Sequence, residues 1–216
     1  MRARRGLAIA CALGLLAGAA TAGPAAARTT AWHFTAVGPG VMAAWENDGV
    51  TTSLFVFNQL NAPGSQGYFE DVIVAVSGGS GAGAWSALYD SWEALQQPTI
   101  AIRPPLVSAT VVATVLFVGC LEGPCPAGLP EQVDVNEGWT GVGPIDRIAG
   151  PPDWFDNDPG VQLFVSHQAN FFRDATLADA DPFDGALGTL GTLQSARFFD
   201  VHIAQVLICH PGVVCE

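Results

Sequence analysis

The sequence predicts an all-β fold, an antiparallel β-sandwich of immunoglobulin-like or jelly-roll-like type built from two tandem related halves. Three observations carry that prediction. Apolar and polar residues alternate at period two in one segment after another. The 25 glycines and 15 prolines spread along the 216 residues leave little room for long helices. Finally, the chain repeats itself, its first half echoed in its second.

Taken in order, residues 1–27 read as a processing segment. Arg2, Arg4 and Arg5 form a basic start, Leu7 to Leu16 an apolar stretch too short to span a bilayer, and Ala-x-Ala sites follow at Ala20–Ala22 and Ala25–Ala27. Export is therefore expected, with residues 28–216 forming a single β domain and no membrane span. Thr52–Phe57 and Glu70–Val76 read as strands, rich in Val, Phe, Thr and Ile and bounded by Gly, Asn and Asp. Ala84–Gln97 places Trp85, Leu88, Trp92 and Leu95 at helical spacing, after the flexible Ser77-Gly78-Gly79-Ser80-Gly81, and reads as a helix or an irregular aromatic loop. In Val107–Phe117 every odd position is apolar while Ser108, Thr110 and Thr114 face the other way, which predicts a strand with one buried side. Gln132–Val142, Val161–Val165 and Arg197–Ile208 follow the same pattern.

The repeat sets about 30–125 against 135–216. Thr35, Val37, Gly38 and Pro39 return as Thr140, Val142, Gly143 and Pro144, and Trp45, Asn47, Asp48, Gly49 and Val50 as Trp154, Asn157, Asp158, Gly160 and Val161. Leu54-Phe55-Val56 with Gln59 is echoed by Leu163-Phe164-Val165 with Gln168. The first copy then carries an insertion, Ser77 to Pro105, which the sandwich should not require. Both copies end in paired cysteines. In an oxidising compartment the repeat selects Cys120–Cys125 and Cys209–Cys215 as disulfides, each closing a short Gly/Pro loop.

The blocks Ser108-Ala109-Thr110-x-x-Ala113-Thr114 and Val133-Asp134-Val135-x-x-x-Trp139-Thr140-Gly141 resemble those of small exported bacterial β-sandwich proteins with no established activity. The resemblance implies the sandwich and supplies no site residue. Glu137 departs from it, falling where alternation with Val133, Val135 and Trp139 expects an apolar side chain.

Charge narrows the partners. Beyond the leading segment five arginines stand against twenty acidic residues, a balance of −15. That excludes nucleic acid and anionic membrane surfaces, which need basic patches. The acidic turns Asp153, Asp156, Asn157, Asp158 and Asp179, Asp181, Asp184 crowd oxygen ligands as Ca²⁺ requires, although the same residues suit Asx turns for backbone reasons alone. Asp200 and His202, two apart on one strand face, could orient an imidazole as a general base. Gly78-Gly79-Ser80-Gly81-Ala82 resembles a nucleophile elbow but lacks its last glycine. Trp85, Tyr89 and Trp92, with Asp90, Glu93, Gln96 and Gln97 around them, form a candidate aromatic surface for a glycan or a protein partner. The expected function is an exported, non-catalytic binding or structural module, with an extracellular hydrolase as the alternative.

Overall fold

Alternation decides which side of each strand is buried. Along Ser108–Glu122 the side chains of Ala109, Val111, Ala113 and Val115 are buried, and along Gln132–Gly141 those of Val133, Val135, Glu137 and Trp139 are, as period two requires. The computed structural model describes residues 31–61, 68–92, 94–150, 153–155 and 161–209, with backbone alone at 31–36, 59–61, 68–69, 153–155, 161–164, 166, 207 and 209. The leading segment lies outside the described residues.

Among the described residues eleven strands follow one another: β1 (Ala31–Asn47), β2 (Val50–Asn61), β3 (Tyr68–Gly78), β4 (Trp85–Asp90), β5 (Thr99–Arg103), β6 (Ser108–Glu122), β7 (Gln132–Gly141), β8 (Asp146–Ala149), β9 (Asp153–Phe155), β10 (Val161–Leu177) and β11 (Thr192–Cys209). All their pairings are antiparallel. β1 pairs with β2, β2 with β3, β3 with β4, β4 with β6, β6 with β7, β7 with β10, β10 with β11, and β11 with β1 again. Eight strands therefore close a hydrogen-bonded circuit. β5 attaches to β6, and β8 and β9 attach to β10. The all-β antiparallel prediction stands, but the strands make one 11-stranded sheet in place of two facing sheets. One apolar interior results, joining Trp45, Leu54, Val74, Tyr89, Val111, Val135 and Phe198.

Nor do the tandem halves emerge as separate units. β6 with β7 and β1 with β11 knit them together along both seams. Trp45 lies in a 17-residue strand paired on both sides, whereas Trp154 lies in a three-residue strand paired with β10. Thr52–Phe57 sits between β1 and β3, while Val161–Val165 sits against β11 and β9. The expected dispensable insertion is also corrected, because β4 bridges β3 to β6 and closes the circuit. Its residues alternate, Trp85, Ala87 and Tyr89 sharing the inner face, so cross-strand pairing overrides the helical spacing of 85, 88, 92 and 95.

The ladder from β1 to β2 breaks between Val37↔Leu60 and Gly40↔Phe57, skipping Gly38 and Pro39, since proline has no N–H to give. At Gly40, the rings of Phe57 and Phe199 from the flanking strands meet edge to face at 5.5 Å. A Cβ there would lie 2.1 Å from Phe199, so only glycine leaves room for that contact. Glu137, the exception to alternation, is nonetheless buried, at 4% exposure. One of its carboxylate oxygens accepts the amides of Gly138 (2.6 Å), Ala178 (3.0 Å) and Asp179 (3.2 Å), tying β7 to the end of β10. Burial pushes its carboxyl above the ordinary range, against the opposing pull of those three amides.

Candidate functional site

The region around Trp92 grows out of the end of one ladder. β3 and β4 pair from Gly78↔Trp85 to Ile73↔Asp90, and there β4 stops. The next residue turns the chain back onto β3. Ser91 donates its amide to the Val72 carbonyl (3.0 Å), its hydroxyl accepts the Val72 amide (2.9 Å), and the same hydroxyl donates to Asp71 Oδ1 (2.8 Å). Asp90 accepts the Trp92 amide through Oδ1 (2.7 Å), and the Ala94 amide reaches the Ser91 carbonyl (3.1 Å). Ser91 and Asp71 are 2% and 4% exposed, so this hydrogen-bonded knot is inside the protein. Directly after it Trp92 stands 66% exposed, and Leu95 projects fully into solvent.

Electrostatics at the knot are one-sided. Between Arg28 and Arg103 the chain contains no lysine or arginine, so β2, β3, β4 and the turn bring no basic side chain to neutralise Asp71 and Asp90. Asp71 is pushed up to about 6, chiefly by burial and further by the neighbouring Asp90 carboxylate, while the Ser91 hydroxyl acts in the opposite direction. Asp71 therefore keeps its proton to higher pH than a solvated carboxyl does.

The aromatic trio predicted as a ligand surface is split. Tyr89 is fully buried, its ring against Phe117 at 5.4 Å. Trp85 is half-buried and packs on the core, its ring lying over Gly78. Trp92 alone of the three is turned mainly to solvent. Asp71 and Ser91 were not legible as partners in the sequence, because only the β3–β4 register brings residues so far apart together.

The acidic turn at Asp179, Asp181 and Asp184 spends its carboxylates on backbone. Asp179 Oδ1 accepts the Asp181 amide (3.2 Å), and Asp181 accepts the amides of Phe183 (3.0 Å) and Gly185 (2.9 Å). Asp184 adopts φ 51°, as Asx residues in turns do. That turn seats Phe183 edge-on against Trp45 at 5.7 Å. Asp156 and Asp158 lie outside the described residues, and Asp153 is described by backbone alone. Among the described residues no group of three or more His, Cys, Asp or Glu is arranged to hold a metal ion. Calcium binding thus has no assembled ligand set behind it there.

Cys120 and Cys125 are disulfide-bonded, with Cα atoms 5.6 Å apart. The other expected bridge, Cys209–Cys215, lies outside the described residues apart from the backbone of Cys209 in β11.

Asp200 and His202 do meet, Oδ2 to Nε2 at 2.8 Å, and the imidazole lies against Phe171 with ring centres 4.8 Å apart. Among the described residues no serine, threonine or cysteine is hydrogen-bonded to this imidazole. Ser80 precedes a single 3₁₀ turn at Gly81–Gly83 with an extended backbone, φ −149°, so the strand-to-helix geometry of a nucleophile elbow is not formed. No helix among the described residues is long and apolar enough to cross a membrane. No protein-family model matches this chain, and no curated protein matches it either.

Proposed function

We propose that this chain is an exported, non-catalytic binding module that presents the Trp92 turn to a glycan or a protein surface outside the cell. The observation that carries this is the pairing of an indole 66% in solvent with a turn whose anchors, Ser91 and Asp71, are almost wholly buried. An exposed tryptophan forgoes the burial that makes it favourable in a core. Held on a rigid turn, the ring loses little freedom when a partner covers it, which is how aromatic anchors yield affinity. The Cys120–Cys125 bridge supports an oxidising compartment, in keeping with the expected export.

The Asp200–His202 pair favours a second reading, an extracellular hydrolase with His202 as base. It would require a nucleophile or a positioned water beside His202, and the Trp92 turn would then be irrelevant to turnover.

The test is a glycan array and a pull-down from extracellular material, run with residues 28–216 and with Trp92→Ala and His202→Ala. Loss of at least about tenfold in binding with W92A, at an unchanged melting temperature, is expected. Undiminished binding by W92A refutes the assignment, and loss confined to H202A moves it to the alternative.

A further inference from the structure

We propose that the fork between β10 and β11 is a docking slot for a short extended peptide from another polypeptide, one that carries an apolar side chain flanked by basic residues. This is a second interaction site, independent of the Trp92 turn.

Strand pairing opens the slot. The β10–β11 ladder ends at Asp174↔Arg197, where the two side chains form an ion pair at 2.8 Å. Past that point β10 pairs with β7 through residues 175–177, while β11 stays with β1 as far as Glu46↔Thr192. Each strand therefore has a ladder partner on one edge and none, among the described residues, on the edge that faces the fork. Alternation identifies the groups left there. The Asp174 carbonyl accepts the Val142 amide and the Ala178 amide reaches the Gly138 carbonyl, so even-numbered residues of β10 face β7. Ala175 and Leu177 accordingly turn their N–H and C=O groups into the fork. Arg173 pairs with Phe198, so Ala196, two residues before it, does the same from β11.

A side-chain cleft lies between these edges. It has a volume of about 450 Å³ and is lined by Ala175, Leu177, Gly191 and Leu193 together with Trp45. Leu193 stands opposite Trp45 in the β1–β11 ladder and is 41% exposed, an apolar side chain left at an open rim. The walls are fixed in place. Phe183 packs edge-on against Trp45 at 5.7 Å, and Glu137 holds the amides of Ala178 and Asp179, which also line the cleft, at 3.0 and 3.2 Å. A strand entering such a slot gains main-chain hydrogen bonds along the edges and seats a side chain in the cleft, the two elements of strand addition. The ladder at Asp174↔Arg197 closes one end of the fork, so the occupant is short.

Charge selects the occupant. Glu46, Asp174 and Asp179 are exposed around the fork. The two arginines of these strands are engaged, Arg197 by Asp174 and Arg173 by the carbonyls of Leu106 and Gly143. A second copy of this acidic chain is repelled, whereas a peptide bearing Lys or Arg is attracted. β1 begins and β11 ends where Ala31 meets Ile208, roughly 50 Å along β11 from Leu193, so neither end of the described chain lies near the slot.

Fluorescence anisotropy on residues 28–216 tests the slot with a panel of fluorescein-labelled hexapeptides, Lys at each end and Thr, Val, Leu or Phe between. The tightest should bind with a Kd below about 1 mM. Methylating its alternate amides, or replacing Lys by Glu, should weaken it at least about tenfold. Saturation should raise the hydrogen-exchange protection of the Ala175 and Leu177 amides at least about tenfold and leave β5 and β8 unchanged. Leu193→Lys removes the apolar wall and adds a charge that opposes the peptide, so binding should fall at least about tenfold at an unchanged melting temperature. Should that variant melt lower, Leu193→Ala decides in its place, with weaker binding expected and undiminished binding overturning the slot. W92A should bind the peptide as the natural chain does, which keeps this result separate from the Trp92 assignment. The slot is overturned if no peptide binds below about 1 mM, if the methylated peptide binds equally well, or if protection is gained on β5 or β8 in place of β10.

Discussion

Replacing Glu137 isolates what a buried carboxylate contributes to this fold. Glu137→Leu removes an acceptor of three amides from the interior. The Ala178 amide retains a second bond, to the Gly138 carbonyl at 2.8 Å, and the Asp179 amide sits at an exposed residue where water can replace the carboxylate. The Gly138 amide, half-buried and 2.6 Å from the carboxylate, has no second acceptor among the described residues. A lost bond to a charged group costs about 1.5–3 kcal/mol, and relief of the dehydrated charge offsets part of it, so a net loss of about 2 kcal/mol is expected. For a domain of this size that is a melting temperature lower by about 4–8 °C. Glu137→Gln keeps the acceptor without the charge and should lose less than about 1 kcal/mol at pH 7.5. Its pH dependence carries a definite sign. Because burial raises the Glu137 pKa in the folded state, the native protein holds this proton to higher pH than the unfolded chain does. Stability is then greatest below the ordinary carboxylate range and falls as pH rises through the folded value. Urea unfolding of the natural chain, E137L and E137Q at pH 4.0 and 7.5 reads both effects, and the like-signed contribution of Asp71 cancels in the differences. An E137L protein as stable as the natural one, or an E137Q difference that does not change with pH, would refute the strut.

Three other outcomes are expected. Gly40→Ala puts a Cβ 2.1 Å from the Phe199 ring and 2.4 Å from the Val56 carbonyl oxygen, and should lower stability by about 1–3 kcal/mol in urea unfolding; a change below about 0.5 kcal/mol contradicts the crowding. Tyr89→Phe removes a buried hydroxyl that has no hydrogen-bond partner among the described residues, so the variant should match or exceed the natural chain in thermal melting, whereas a loss of more than about 1 kcal/mol reveals a partner for it. Tyr89→Ala, by contrast, empties a fully buried ring site and should cost about 3–5 kcal/mol, which separates this residue from Trp92, whose truncation should leave stability within about 0.5 kcal/mol.

Much of the strand content was legible because it is written locally. Val133, Val135 and Trp139 announce one face of β7 without reference to anything else in the chain, and β6 does the same. β1 escaped notice because Gly38-Pro39-Gly40 interrupts its middle, a break the protein tolerates by dropping two residues from one ladder while the other runs on. Trp85–Tyr89 carried helical spacing and no strand signal was read there; pairing with β3 and β6 makes it a strand. Glu137 looked like an error of register because its partners, the amides of Ala178 and Asp179, lie some forty residues away. Trp92 was visible as an aromatic in acidic company. The buried Ser91–Asp71 anchor beneath it was not, since no spacing in the sequence encodes which acid on β3 meets the end of β4.

The closing of the circuit by β1 and β11 sets the order in which this protein can become itself. Ala31 stands opposite Ile208 and Glu46 opposite Thr192, so the longest ladder joins the earliest strand to the latest. Closure over most of the chain must be completed before that ladder returns any free energy, a topology of high contact order that folds slowly. Until Thr192–Cys209 has been synthesised, one whole edge of β1 is an open template for pairing with another molecule. A truncation within β11 therefore acts on the fold as though the first strand had been cut, and a chaperone that shields Ala31–Asn47 would guard a junction whose other half is made last.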